Sequence, residues 1–514
     1  MALQTAVRLS GEGLTVDDVW AVATDGGSAE LTDTARDKMA RAREVVDRAA
    51  QERGGHTYGV NTGFGRFVSR SIPNDLAEEL QVRLLRSHAC GVGEPYPDEV
   101  VRAAMLLRAN ALAKGYSGAR VETVELLLEC LNRRVLPHVP SRGSVGASGD
   151  LAPLAHLALP LIGEGEAWVD GELRTGADAL AAVGLEPIRL APKEGLSLIN
   201  GTQFMTAMGA LALVRAKRLA TSADIACALS LEALQASRTS LLPQIHAARP
   251  LPGQQASAAN LLRLTDDSPI MEAHRWCDKV QDAYSLRCAP QVHGASRDLL
   301  AYVEATIGVE LNAATDNPLV LVDEELVVSN GNFHGQPLAF ALDALAMAVS
   351  ELANISERRL ERLVNPTLSE GLPAFLTVDA GLNSGFMIPQ YVAAALVSEN
   401  KALCHPAGID SIPTSAGQED HVSMGNAAGL KAWQVVANAE RAVAVELLAA
   451  AQAVEFLAPL RPGPAGRATH DLVRSLSPRL REDRALTHDI EAIASAIRDG
   501  SLVAAVEAEA GELA

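Results

Sequence analysis

The stretch GSVGASGDLAPLAHLALP, residues 143–160, places three glycines and two serines within seven residues and then becomes an apolar run at helical spacing. Glycine admits backbone angles closed to other residues, and Ser and Asp hydrogen-bond the first free N–H groups of a helix. Taken alone, the segment reads as a solvated turn that caps a helix. The rest of the chain decides whether it carries more.

Outward from this segment the composition favours helices. The chain has 514 residues, more than a single core holds, and length alone suggests about three domains. Hydrophobic residues make up 48% and charged residues 21%, the balance of an ordinary globular protein. Aromatic residues reach only 4%, whereas Ala and Leu are abundant. Ala and Leu are strong helix formers, while strands draw on β-branched and aromatic side chains. A net charge of −19 argues against nucleic acid or an anionic membrane as partner. The opening MALQTAVRLSGEG lacks the basic and apolar regions of a secretory signal, and no uninterrupted apolar run reaches about 18 residues, so no membrane span is expected. Cys90, Cys130, Cys227, Cys277, Cys288 and Cys404 are scattered without a C-x-x-C pair, as reduced thiols of a cytoplasmic protein would be.

Helical periodicity recurs along the chain. TDTARDKMARAREVVDRAAQERG (32–54) starts polar, keeps helical spacing and runs into Gly-Gly. NDLAEELQVRLLRSHAC (74–90), PDEVVRAAMLLRANALAKG (97–115) and RVETVELLLECLNRRV (120–135) repeat the pattern. Beyond Gly201 the stretches 204–237, 337–363 and 421–457 are apolar on more than one face, which predicts helices buried in a large bundle or an oligomer core. LVLVDEELVVSNG (319–331) alternates as a small hairpin would. The expected division is an N-terminal domain, 1–200, followed by a long-helix bundle, 201–514.

Several chemical signatures are absent: H-E-x-x-H, the G-x-x-x-x-G-K-[ST] phosphate loop, and metal-type Cys/His spacing. GASGD falls one residue short of G-x-S-x-G, which argues against an acyl-transfer serine. Polar clusters remain where loops meet helices. TYGVNTGFG carries Tyr58, RSHACGVG carries Ser87 and His88, and EGLSLINGTQ carries Asn200 and Gln203. CDKVQDAYSLRCAPQ carries Gln281, Tyr284 and Arg287, which share one face if helical. NGNFHGQP carries Phe333 and His334, and SAGQEDHVSMG carries Gln418, Glu419, Asp420 and His421. Each has an ordinary reading. His88 fits a satisfied core histidine, Arg287 a surface ion pair with Asp282, Glu419 a cap for the following helix, and Phe333 the core.

Together, the six clusters and GSVGASGDLAPLAHLA resemble the aromatic amino acid ammonia-lyase family, through ASGD followed by LAPL, with NGT and YSLR. The resemblance implies a mainly α fold with a long central helical bundle and few short strands. It also implies that Ala147, Ser148 and Gly149 cyclise and dehydrate into a 4-methylidene-imidazol-5-one (MIO), an electrophile that needs no external cofactor and no metal. The residue types suit this. Gly149 supplies the attacking amide nitrogen and, lacking Cβ, allows close approach to the Ala147 carbonyl. Ser148 supplies a β-hydroxyl that leaves as water, Ala147 is small enough for the compressed turn, and Asp150 is placed to assist the dehydration. The apolar LAPLAHLALP keeps water from the electrophile.

By the same resemblance Tyr58 is the base that takes the substrate β-proton, which requires a phenol depressed from its usual pKa near 10 by donors and positive potential. Asn200 and Tyr284 hydrogen-bond the electrophile, and Arg287 forks onto the substrate carboxylate. Gln203, Gln281, His88, Phe333 and Glu419 complete the substrate-binding set. Relatives acting on phenylalanine or tyrosine carry Phe-Leu or His-Leu at Ser87-His88, and Asn-Gln-Asp at Gln418-Glu419-Asp420. A phenyl ring gains nothing from a buried carboxylate, whereas an imidazole donates N–H to it. His88 with Glu419 therefore favours L-histidine, deaminated to trans-urocanate and ammonia.

Two positions depart from the histidine pattern: Gly417, where relatives often carry Asn, and Gln336, which resembles the phenylalanine and tyrosine branch. Tyrosine aminomutases share the Ser-His pair but lack the Glu. A 2,3-aminomutase on the same prosthetic group, a lyase for another aromatic amino acid, and an inactive helical scaffold are the alternative readings. The family further implies a homotetramer whose pockets are each built from three chains, with YSLR reaching into a neighbour's site.

Overall fold

A computed structural model of the chain describes residues 6–51, 57–275 and 279–514. It is mainly α-helical, and its strands are at most four residues long. The expected early helices form as Asp33–Gln51, Ala77–His88, Asp98–Ala113 and Val121–Asn132. The Gly-Gly that follows the first of them lies outside the described residues. The three Ala- and Leu-rich stretches become Gln203–Ala233, Gln336–Val364 and Gly425–Glu455, of 31, 29 and 31 residues. The last starts later than its composition suggests because Met424 is left-handed (φ 54°), which breaks the helix ahead of Gly425. Leu319–Leu321 and Leu326–Val328 pair antiparallel, with Val320 opposite Val327, as the alternation predicts. A three-stranded sheet of Leu136–Pro137, Glu166–Val169 and Glu172–Thr175 went unread in the sequence, being too short to show a period.

Gln336–Val364 is long and apolar enough to cross a membrane (mean hydropathy 1.6), which a search for uninterrupted apolar runs passes over. Buried residues account for 72% of its apolar window, as in a core helix.

The chain divides into two compact units. The first comprises Met1–Leu211, Glu304–Asp343 and Pro406–Leu430, so it extends past residue 200 and draws in two later segments. Its core contains the helix Asp98–Ala113, buried from Val100 onward on every face. Two polar residues of that helix reach backbone groups: Arg102 donates to the carbonyls of Val22 and Leu131, and Asn110 to that of Leu311. Buried polar side chains are tolerated where such partners exist.

The second unit comprises Ala212–Val303, Ala344–His405 and Lys431–Ala514. At its centre Arg359 and Glu446 are both fully buried and joined twice, Nε to Oε1 at 2.5 Å and Nη2 to Oε2 at 2.8 Å. Glu446 also accepts from Ser230 Oγ at 2.7 Å and Ser356 Oγ at 2.6 Å. Ala-rich faces pack in many registers; a bidentate pair with every lone pair engaged is satisfied in one.

Candidate active site

The opening segment folds as a tight loop, 143–150, that enters the helix Leu151–Ala158. The ordinary capping reading fails, because the Asp150 side chain makes no cap bond to that helix. Its carboxylate turns inward instead, accepting from Ser144 Oγ at 2.9 Å and the Met205 N–H at 2.9 Å. Asp150 is fully buried, and burial pushes its carboxyl up to about 6 against the pull of these hydrogen bonds. Gly146 (φ 65°) and Gly149 (φ 71°) are left-handed, and each is closely covered. A Cβ on Gly146 would strike Ser423 Oγ, and one on Gly149 would strike the Gly201 carbonyl.

Distant segments hold the loop. Ser423 Oγ donates to the Gly146 carbonyl at 3.0 Å, and the Met424 N–H to that of Val145 at 2.9 Å. The Asp150 N–H donates to the Gly201 carbonyl at 2.7 Å, and Asn200 Nδ2 to the Ser148 carbonyl at 3.0 Å. Ser144, Thr414 and Ser423 were not singled out in the sequence. Isolated hydroxyls carry no pattern until the fold brings them to a partner.

Ser148 borders a cavity of about 720 Å³ within the first unit. Tyr58, Ser87, His88, Asn200 and Glu419 line the same cavity, with Phe64, Leu84, Leu151 and Leu196 as apolar walls. Residues spread over some 360 positions of the sequence thus share one space.

Tyr58 stacks edge-on against Phe64, with ring centroids 6.0 Å apart. Its phenol is raised, contrary to the depression expected from the sequence. Burial dominates, a hydrogen bond from the Gly65 backbone opposes it, and the negative charges of Glu419 and Asp316 add to it. His88 closes the helix Ala77–His88, with Nδ1 2.9 Å from the Leu84 carbonyl. A carbonyl only accepts, so Nδ1 carries the proton and the neutral ring leaves Nε2 as an acceptor. Burial lowers the imidazole pKa, and the Leu84 carbonyl and Glu419 partly restore it.

Glu419 does not cap the helix that begins at Gly425. Its carboxylate accepts from Thr414 Oγ1 at 2.6 Å, across a short bridge between the two residues. Ser415, Ala416 and Gly417, with φ of 51°, 54° and 83°, turn the chain between them. Gly417 therefore occupies a left-handed site, which glycine and Asn both accept, with open space beyond its Cα.

Two expected residues, Gln203 and Phe333, stand elsewhere in the first unit, as does Gln336. Gln203 does not line the cavity: its Oε1 accepts from Arg108 Nη1 at 2.8 Å and its Nε2 donates to Thr315 at 3.2 Å. Phe333 is half-buried and also outside the lining, and Gln336 donates to the Gly408 carbonyl at 2.8 Å.

Gln281, Tyr284 and Arg287 belong to the second unit. The helix there is only Tyr284–Arg287, so Gln281 precedes it and the shared helical face does not form. A hydrogen bond of 3.0 Å from Arg287 Nη2 joins the two residues instead. Arg287 Nε donates to the backbone carbonyl of Asp282, not to its carboxylate, which faces Lys279 at 3.3 Å. The guanidinium lies 4.7 Å from the centre of the Tyr284 ring, and Tyr284 is 71% exposed.

The sequence profile described as "Aromatic amino acid lyase" matches residues 14–475. The chain belongs to the aromatic amino acid lyase family. The histidine ammonia-lyase of Gloeobacter violaceus is 57% identical over 505 residues, covering 98% of each chain. Among solved structures of the aromatic amino acid lyase fold, the histidine ammonia-lyase of Trypanosoma cruzi matches with a TM-score of 0.91 and 48% identity, covering 98% of this chain and 96% of that one. A tyrosine aminomutase from Streptomyces globisporus matches with a TM-score of 0.94 and 39% identity, covering 98% and 99%.

Proposed function

We propose that the protein is a carbon–nitrogen lyase that deaminates L-histidine to trans-urocanate and ammonia. The observation that carries this reading is the meeting of Ser148, His88 and Glu419 on one cavity. Lyases and aminomutases share the fold, so the pocket's side chains carry the distinction. Nε2 of neutral His88 accepts an N–H, and the Glu419 carboxylate accepts another or pairs with an imidazolium. A phenyl ring offers that carboxylate no N–H or O–H, so only its bond from Thr414 would remain.

The prosthetic group of this reading forms from the chain itself. The Gly149 nitrogen bonds to the Ala147 carbonyl carbon, whose oxygen leaves as water, and Ser148 loses its hydroxyl and α-hydrogen as a second water. The loop suits this, with a left-handed Gly149 held against Gly201 and Asn200 on the Ser148 carbonyl. Once formed, the group supplies an electrophile for the substrate amine, which makes a poor leaving group a better one. Asn200 holds the ring carbonyl where negative charge gathers, and donors so placed are worth about 10²–10³ in rate. Tyr58 takes the β-proton.

The raised phenol of one chain calls for a cation to lower it. Arg287 of a neighbouring copy, with Tyr284 and Gln281, supplies that charge and grips the substrate carboxylate. Exposed Tyr284 and the exposed apolar side chains Leu382, Ile388 and Tyr391 support a homotetramer with shared sites. A cytoplasmic enzyme with no added cofactor fits the same reading.

Incubating the purified protein with L-histidine, L-phenylalanine and L-tyrosine and separating the products tests it. Urocanate should form far faster than cinnamate or coumarate. Faster cinnamate, or β-histidine as the main product, would overturn the assignment. Glu419→Gln keeps the size and removes the charge. It should cost about 1.5–3 kcal/mol of transition-state binding, or about 10- to 150-fold in kcat/KM for histidine alone. An unchanged kcat/KM would restrict Glu419 to its bond with Thr414.

A further inference from the structure

We propose that Arg108 is a positioning residue for this chemistry, holding Asn200 on the Ser148 carbonyl and setting a positive charge behind it; the inference rests on the proposed function. Arg108 lies within the helix Asp98–Ala113 and is fully buried. Its Nη1 donates to the Asn200 backbone carbonyl at 2.8 Å and to Gln203 Oε1 at 2.8 Å. Asn200 in turn reaches Ser148, so a hydrogen-bonded path of two side chains runs from the guanidinium to the Ala-Ser-Gly loop. The same guanidinium presses on Gly201, where a Cβ would strike Nη1, and the other side of that residue is the bridge to Gly149.

Charge separates Arg108 from its neighbours in this layer. Lys193 pairs with Asp316 at 2.8 Å, and Arg120 with Glu194 at 2.7 Å. Among the described residues, no carboxylate forms an ion pair with Arg108, and Asp316, already paired with Lys193, acts on it only through space. A buried cation without such a partner is costly, and an apolar side chain of similar length would fill the space at less cost. Packing therefore gives no reason for the residue; its two hydrogen bonds do. Burial draws the guanidinium down to about 10, which leaves it charged at neutral pH. Negative charge gathers on the Ser148 oxygen when the Gly149 nitrogen gives up its proton to attack Ala147. A cation behind Asn200 favours that charge, in a medium where little water screens it. The role assigned to Gln203 changes accordingly: it anchors the same Nη1 that holds the Asn200 carbonyl.

Arg108→Met and Arg108→Lys, made in the full chain, test the proposal by intact mass, thermal melting, and kcat and KM for L-histidine. In Arg108→Met the fraction of chains two waters below the encoded mass should fall from complete to partial. For the cyclised fraction kcat should drop about 100-fold, the scale of one lost donor, with KM moving less than about threefold. Arg108→Lys keeps the charge and one donor, and should recover at least about a tenth of the wild-type kcat. Full cyclisation with wild-type kcat in Arg108→Met would overturn the proposal. So would recovery of both variants only as unfolded chain, which marks a purely structural role. A wild-type protein at its unmodified mass, without urocanate, would instead overturn the function on which the proposal rests.

Discussion

Ser148→Ala loses at least about three orders of magnitude in kcat for L-histidine while keeping its fold, because alanine has no hydroxyl to expel and no methylidene forms. The wild-type chain should weigh two waters less than its sequence encodes, and the variant should not show the full deficit. Melting temperature separates this effect from misfolding. Ser148 is only partly buried and borders the cavity, so the variant should melt close to wild type. A wild-type protein at its encoded mass with full activity would refute the mechanism.

The second large effect is recovery. Ser148→Ala and Arg287→Ala should each be nearly inactive, the first without an electrophile and the second without the fork on the substrate carboxylate. Co-expressed in equal amounts, the two variants should regain about a quarter of wild-type activity in mixed tetramers, by random pairing within a symmetric oligomer. The cavity beside Ser148 is lined by residues of the first unit, and Gln281, Tyr284 and Arg287 are not among them. Tyr284 is 71% exposed and carries Arg287 on its ring. Activity fixed at the single-variant floor in demonstrably mixed tetramers would place both residues in one chain's pocket.

Much of the fold was legible because helical periodicity is local. The spacing in PDEVVRAAMLLRANALAKG and the alternation in LVLVDEELVVSNG map directly onto a helix and a hairpin. The candidate site was legible in part. Tyr58, His88, Ser148, Asn200 and Glu419 share one cavity, whereas Gln203 and Phe333 stand outside it. Reading Gln281 to Arg287 as one helical face failed because the helix starts only at Tyr284. The turn-and-cap reading of GASGD failed too, since Asp150 found better acceptors' work inside the protein than at the helix end.

By itself the sequence determined what covalent neighbours decide: an Ala-Ser-Gly triplet whose atoms lie within one ring's reach, and glycines where the backbone turns left-handed. It also determined the period of each helix. Only the tertiary structure decided what depends on surroundings. Asp150 rises to about 6 because segments from three parts of the chain bury it, and Tyr58 rises although a catalytic base was expected to fall. Arg108 becomes a hidden support for Asn200, which no spacing between residues 108 and 200 announces. Burial and neighbouring charge act from everything nearby in space, and proximity in space is what a linear chain leaves unwritten until it folds.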